Sequence, residues 1–325
     1  MPANLPPQYH EAEKRYRAAN TPADKLAALE EMLAIMPKHK GTDKLQADIK
    51  RRISKLKGLE QKSGGKKTYG FNVKPEGAGQ VALVGPPNSG KSSLVRALTR
   101  AEPEVADYPF TTRAPLAGMC PYEDVQVQLV DLPPLAEEYI EPWLPDLIRR
   151  ADLLVIMLDL TEDPSHQLSV VENLLGAKRI FLTDGPNQED DRPGVIKPHL
   201  LLANKLDHQD AEETLELFRE IVGTGREILP VSTVSFAGLA ELPARIFQAL
   251  NVVRAYTKTP GKPADKHTPF ILPRNSTVLD LAYKIHKDIA GRFQYARIWG
   301  GDKYDGQMVQ RDYVLCDRDI IEIHA

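Results

Sequence analysis

Apolar residues change their spacing twice along the 325-residue chain, and the changes divide it into three parts. Before residue 60 they recur at helical intervals. Leu26, Leu29 and Leu33 share one face after a start signal at Thr21, Pro22 and Asp24, and Pro37 closes the run. Thr42 opens a second segment in which Leu45, Ile49, Ile53 and Leu56 follow the same period, and a third helix fits around 9–19. A helical hairpin is expected over 1–68. From Gln80 the pattern shifts to short apolar strands, VALVG, VQVQLVD, DLLVIMLD, RIFLT, HLLLAN and EILPVS, separated by amphipathic stretches. That alternation predicts βαβ units, a mostly parallel sheet and helices on both of its faces, with any ligand at the carboxyl ends of the strands. Near the end of the chain, Ser276 or Thr277 caps a helix reaching about Ile289, and YARIW, MVQRDYVL and DIIEIHA read as strands. The stretches 61–79 and 258–268 are rich in Gly, Lys or Pro without apolar periodicity and read as linkers, which sets the parts at 1–68, 78–256 and 268–325.

Composition leaves the class open only within soluble globular proteins: 42% of residues are hydrophobic and 27% charged. The longest apolar runs, around 153–158 and 200–203, fall far short of the ~20 residues of a membrane span, and the N-terminus has no secretory or transit pattern. Two cysteines, Cys120 and Cys316, suit a reducing compartment. The expectation is a cytoplasmic protein. Its net charge of −3 conceals an asymmetry. Residues 1–68 hold 15 basic and 8 acidic side chains, 265–325 hold 9 of each, and the middle therefore carries 18 against 28. A basic arm precedes an acidic body.

The first strand runs directly into Gly85, Pro86, Pro87, Asn88, Ser89, Gly90, Lys91 and Ser92, a GxxxxGK[ST] phosphate loop, and Ser93 begins the helical stretch that follows. In such a loop the backbone amides wrap a phosphate at a helix N-terminus, Lys91 reaches the β and γ phosphates, and Ser92 holds Mg²⁺. Asp131 ends VQVQLVD 40 residues after Lys91 and suits a carboxylate that holds Mg²⁺, usually through water. Asn204, Lys205, Leu206 and Asp207 follow a buried strand and match the base-specificity element of GTPases, whose Asp accepts hydrogen bonds from guanine. Ser232, Thr233 and Val234, after the strand EILPV, stand where a GTPase has a second loop over the base.

With these motifs, the segment DYPFTT at 107–112 resembles the first switch of Obg and of the developmentally regulated GTP-binding proteins. By that resemblance Thr112 would reach Mg²⁺ and the γ-phosphate. FILPRNSTVLDLA at 270–282 resembles the opening of a TGS domain, a ubiquitin-like β-grasp module, and the arm resembles the helical segment preceding the G domain in the same GTPases. The resemblance implies an α/β P-loop GTPase domain between an N-terminal helical hairpin and a C-terminal TGS domain. It also implies GTP and GDP as ligands, the ribosome or its RNA as partner, and a protein partner at the TGS domain; neither membrane nor DNA is expected.

Two departures bear on activity. The family's second switch reads Asp-x-Pro-Gly, whereas here Asp131, Leu132, Pro133 and Pro134 replace it, and Pro134 has no N–H for a γ-phosphate. Leu135 stands where many GTPases carry the water-orienting Gln. Hydrolysis is therefore expected to be slow or assisted, with Lys91, Thr112 and Asn88 as the catalytic set; the competing reading is a nucleotide-gated RNA- or protein-binding module with little hydrolysis. Asn88 either shapes the loop or ligates a potassium ion beside the phosphates. Lys50, Arg51, Arg52, Lys55 and Lys57 either form an RNA-binding stripe or fold back on the acidic body. The insertion at 183–197 reads as a solvated loop.

Overall fold

The computed structural model describes 73–325 apart from 100–113, 138, 184–192 and 301–303, together with nine helical positions before residue 50. The chain forms two units, Met1–Tyr69 and Gly70–Ala325. In the first, Tyr9, Ala28, Leu29, Met32 and Ile49 are buried and helical, and Arg15 pairs with Glu31 at 2.7 Å. Leu29, Leu33 and Ile49 are thus helical, as their spacing predicts. Lys50, Arg51, Arg52, Lys55 and Lys57 lie outside the described residues.

The second unit begins with β1 (Gln80–Val84), which leads to α1 (Lys91–Leu98), β2 (Leu116–Tyr122), β3 (Val125–Asp131) and α2 (Leu144–Arg150). It continues with β4 (Leu153–Asp159), α3 (Pro164–Ala177), β5 (Ile180–Leu182), β6 (Val195–Lys197), β7 (His199–Asn204), α4 (Ala211–Val222), β8 (Ile228–Pro230) and α5 (Leu242–Ala249). Six of these strands make one sheet in the order β2-β3-β1-β4-β7-β8, parallel except for the β2–β3 hairpin at its edge. Central strands are apolar on both sides because both sides are covered. Along β1, Ala82 and Val84 enter a core shared with α2, α3 and α4, while Val81 and Leu83 enter the opposite core with α1 and α5.

Three sequence expectations give way, and one strand is not expected from the sequence at all. The strand β2, LAGMCPY, has too few β-branched residues to register as a strand; it forms because every one of its residues registers against β3. RIFLT does not join the main sheet: β5 pairs with β6 in a separate two-stranded ribbon, so the end of the supposed loop at 183–197 is a strand with Lys197 buried. The stretch 258–268 is not a linker. It holds the end of β9 (Val252–Lys258), the hairpin turn and the start of β10 (Ala264–Pro273), and the second sheet, in the order β10, β9, β13 (Asp319–His324), β11 (Tyr295–Trp299), β12 (Gln307–Val309), therefore starts at residue 252, before the boundary read at 256–268. The reading of MVQRDYVL as one strand also fails, since β12 covers only Gln307–Val309 and Tyr313 N closes a turn on Gln310 O at 3.2 Å.

The rest of this sheet follows expectation. Thr277 caps α6 (Val278–Ile285) in a reciprocal box with Asp280, and α7 (Lys287–Gly291) follows a break at His286. The strands β11 (Tyr295–Trp299) and β13 (Asp319–His324) close the sheet over Val253, Ala255, Val278, Leu281, Ile298 and Ile321.

The two sheets meet at Arg254, whose side chain is 3% exposed. Its guanidinium binds Asp317 through Nε at 3.1 Å and Nη2 at 2.6 Å, and Nη1 reaches Asp124 Oδ1 at 2.7 Å and Glu123, both in the β2–β3 turn. Arg318 also binds Glu123, and the Tyr256 hydroxyl donates to Asp124. The cation lies 4.8 Å from the Phe247 ring centroid. Hydrogen bonds from Arg318 and Arg254 hold Glu123 below the usual carboxylate range, and Asp317 is likewise held low despite its burial.

Removing this cation leaves Asp124 and Asp317 without their positive partner and Glu123 with Arg318 alone. Because those carboxylates are partly solvated, Arg254→Met is expected to cost about 2–3 kcal/mol, below the range for a fully buried pair, as a lower melting temperature at pH 7. Carboxylates with depressed pKa stabilise the fold above their unfolded value of about 4 and lose that contribution as pH falls below it. The difference between wild type and Arg254→Met should therefore shrink between about pH 5 and pH 3, and a difference that stays constant with pH would show that the cluster contributes nothing electrostatic.

Candidate functional site

The chemistry-bearing residues gather at the carboxyl ends of β1, β3, β7 and β8. Every residue of β1 is buried between β3 and β4, so its last residue delivers the phosphate loop from a fixed support. The loop then runs too close to its neighbours for side chains at two positions. A Cβ on Gly85 would stand 2.3 Å from the Met157 carbonyl oxygen, and one on Gly90, at φ 98°, would stand 2.2 Å from Asn204 Nδ2. Gly90 gives α1 no side-chain cap, which leaves first-turn amides available to an anion.

Lys91 is 6% exposed and folds back over the loop, donating to Gly85 O at 3.1 Å, Pro86 O at 2.8 Å and Ser89 Oγ at 3.3 Å. Burial lowers its pKa to about 8, against the opposing pull of Asp131. Asp131 ends β3. Its Oδ2 accepts from Ser92 Oγ, while its Oδ1 is buried without a hydrogen-bond partner, and burial raises its pKa although Ser92, Lys91 and Arg96 oppose the rise. A cleft of about 620 Å³ opens here, bordered by Asn88, Lys91, Ser92, Ser93, Asp131 and Pro134. Pro87 and Asn88 are exposed on its rim, Asn88 at φ 59°.

At the other end of the loop Asn204, 1% exposed, joins two segments: its Nδ2 donates to Ser89 O at 2.8 Å and its Oδ1 accepts from Thr233 N at 3.2 Å. Lys205, at φ 68°, pairs with Asp159. Asp207 accepts from Ser232 Oγ, which itself accepts from Val234 N at 3.1 Å and Ser235 N at 2.9 Å. The hydroxyl thereby fixes the 232–235 turn against the exposed carboxylate.

The residues at 85–93, 131, 204–207 and 232–234 thus lie on connected loops along one sheet edge. Thr112 lies outside the described residues, as does the DYPFTT segment. Leu135 does not face the cleft. Its side chain is 2% exposed in the core with Leu132 and Trp143, and its N–H donates to Gly85 O at 3.0 Å. Sequence reasoning missed Asp159 and Gln167. Gln167 Oε1 accepts from Asp159 N at 2.9 Å and its Nε2 donates to Asp159 O at 3.0 Å, which steadies the partner of Lys205. The available signal was an acid ending the buried strand LLVIMLD.

Residues 80–184 match the family model of the 50S ribosome-binding GTPases, and residues 253–325 match that of the TGS domain. The chain thus carries a P-loop GTPase domain followed by a C-terminal TGS domain. It is similar to the developmentally-regulated GTP-binding protein 1 of Xenopus laevis, with 27% identity over 92% of this chain and 98% of the relative. It is equally similar to the ribosome-interacting GTPase 1 of Saccharomyces cerevisiae, 27% identical over 94% and 99% of the two chains. The solved YchF GTPase of Schizosaccharomyces pombe shares the fold at a TM-score of 0.51 and 14% identity, over 77% of this chain and 99% of that one. Among the described residues no helix is long and apolar enough to cross a membrane.

Proposed function

We propose that the chain binds and slowly hydrolyses GTP as a ribosome-associated switch in the cytoplasm, with its parts dividing into basic arm, G domain and TGS domain. The observation that carries this reading is Asn204, which ties the loop bearing Lys91 and Ser92 to the turn that holds Asp207 and Ser232. A phosphate end and a base end so joined suit one nucleotide. Gly85, Pro86, Pro87, Asn88, Ser89, Gly90, Lys91, Ser92 and Ser93 would cradle the phosphates; Asn204, Lys205, Asp207, Ser232, Thr233 and Val234 would take guanine.

The residues present suit Mg²⁺. The unpartnered Asp131 Oδ1 and the adjacent Ser92 hydroxyl are hard oxygen donors, and Thr112 would complete the set. The ion, when bound, neutralises charge on the β and γ phosphates. The chain's own contribution is to hold the phosphates by backbone amides and Lys91 and to fix the base. Pro134 borders the cleft without an N–H, and Leu135 turns into the core, so neither supplies the polar contact that orients water in other GTPases. These two positions favour the second reading, a nucleotide-gated binding module.

Base specificity is tested at Asp207. Wild type should bind GDP and GTP and ignore ATP, whereas Asp207→Asn should shift preference to xanthine nucleotides, whose C2 oxygen complements an amide donor. Equal affinity for ATP and GTP in a filter-binding titration would remove the guanine assignment.

Catalysis is tested by single-turnover hydrolysis in matched KCl and NaCl. The rim position of Asn88 beside the loop suits a potassium ligand, and a cation there would replace an arginine finger, a role worth ~10³ to 10⁵ in rate. Faster γ-phosphate release in KCl, lost in Asn88→Ala, is expected; equal rates in both salts exclude potassium, and no release above buffer makes the chain a binder.

The ribosome enters from the name of the yeast relative and from the arm's charge, 11 basic against 3 acidic residues over 38–67. Replacing Arg51, Arg52 and Lys55 with Glu should abolish co-sedimentation with ribosomes while leaving GTP affinity and melting temperature unchanged. A lowered melting temperature or altered hydrolysis without RNA would instead assign the arm to the acidic G domain.

A further inference from the structure

Helix α4 is apolar on two sides. Ala211, Leu215 and Phe218 are buried against the domain, yet Leu217 and Ile221, one turn apart, are 55% and 69% exposed. Among the described residues no other helix leaves two large apolar side chains so open. The pair lines a groove of about 480 Å³ with Phe218 and Pro164 on the inner side, and the 161–165 turn at the start of α3 forms the opposite wall.

The rim of this groove is acidic. Glu162, Asp163 and Asp210 border it, all exposed, and none is matched by a Lys or Arg among the lining residues. Glu213 and Glu220 stand four residues before and three after Leu217, on the same helical surface and exposed to solvent. An acidic rim repels phosphate backbones and anionic lipid, and an apolar ridge is wasted on a purely ionic partner. The complement is an apolar ridge with cations on both sides. We propose that the groove between α3 and α4 docks an amphipathic helix of a partner protein, with its apolar side chains on Leu217 and Ile221 and its Lys and Arg residues on Glu162, Asp163, Asp210, Glu213 and Glu220.

The probe is a synthetic helical peptide of about 16 residues with leucines at positions i, i+4 and i+7 flanked by lysines, and its controls carry glutamates in place of lysines or the same residues scrambled. Fluorescence anisotropy on the full chain should show saturable binding of the lysine peptide alone, weakening with salt. Leu217→Ser with Ile221→Ser should reduce that affinity by about tenfold or more without changing GTP affinity or melting temperature, since both side chains are exposed. Glu213→Lys with Glu220→Lys should weaken binding of the lysine peptide and narrow its advantage over the glutamate peptide, since Glu162, Asp163 and Asp210 remain. Absence of binding, equal binding of scrambled peptide, or unchanged affinity in the serine variant overturns the proposal. So do two other occupants: self-association lost in the serine variant would assign the groove to a second copy, and retention of poly-uridine or phosphatidylserine vesicles lost in that variant would assign it to an anionic surface.

Discussion

Backbone contact between the phosphate loop and its neighbours is the constraint from which the site follows. With glycine at 85 and 90 the loop lies directly against Met157 of β4 and the side chain of Asn204, and Asn204 can then donate to Ser89 O. A methyl group at either position would push the loop outward and separate Asn204 from Ser89. Asn204 in turn carries Thr233, and Ser232 carries Asp207, so the base end is positioned by the phosphate end through three hydrogen-bonded links. The parallel sheet makes this economy available, because β1, β4 and β7 end side by side with buried residues at their carboxyl ends.

Most of this was legible in the sequence because phosphate and base loops are short, contiguous and read from residue types that admit few substitutes. What escaped was set by distant partners. The strand β2 carries Gly118, Cys120 and Pro121 and has no strand pattern of its own; it is a strand because β3 lies beside it. VVRAYTK seemed to close the G domain, yet β9 pairs with β10 and β13, and no local feature tells on which side of a boundary a strand will find its neighbours. Asp159 reads as one more acid after a hydrophobic run. Only the fold brings Lys205 and Gln167 to it.

The same hairpin that sequence reading half missed has two functional ends. Its strand β3 finishes at Asp131 in the cleft, and the turn before it offers Glu123 and Asp124 to Arg254. Seven residues of one extended strand therefore connect the carboxylate beside Ser92 with the cation at the base of the second sheet. Arg254 is buried, flanked by Phe247 and holds three carboxylates through four hydrogen bonds, so the hairpin tip has little freedom to shift without unpairing charge.

Burial works against charge at both ionisable groups deep in the cleft. Lys91 is buried deeply enough that its pKa falls to about 8, and Asp131 is buried enough that its own rises. Desolvation thus works against the charged form of each group, and each is drawn back toward that form by an opposite charge. A phosphate placed among the loop amides favours protonated Lys91, and a cation beside Ser92 favours ionised Asp131. Either ligand alone leaves the other group poorly matched, whereas both together satisfy the pair. These opposed shifts are what the proposed binding of a nucleoside phosphate together with Mg²⁺ would relieve at both groups.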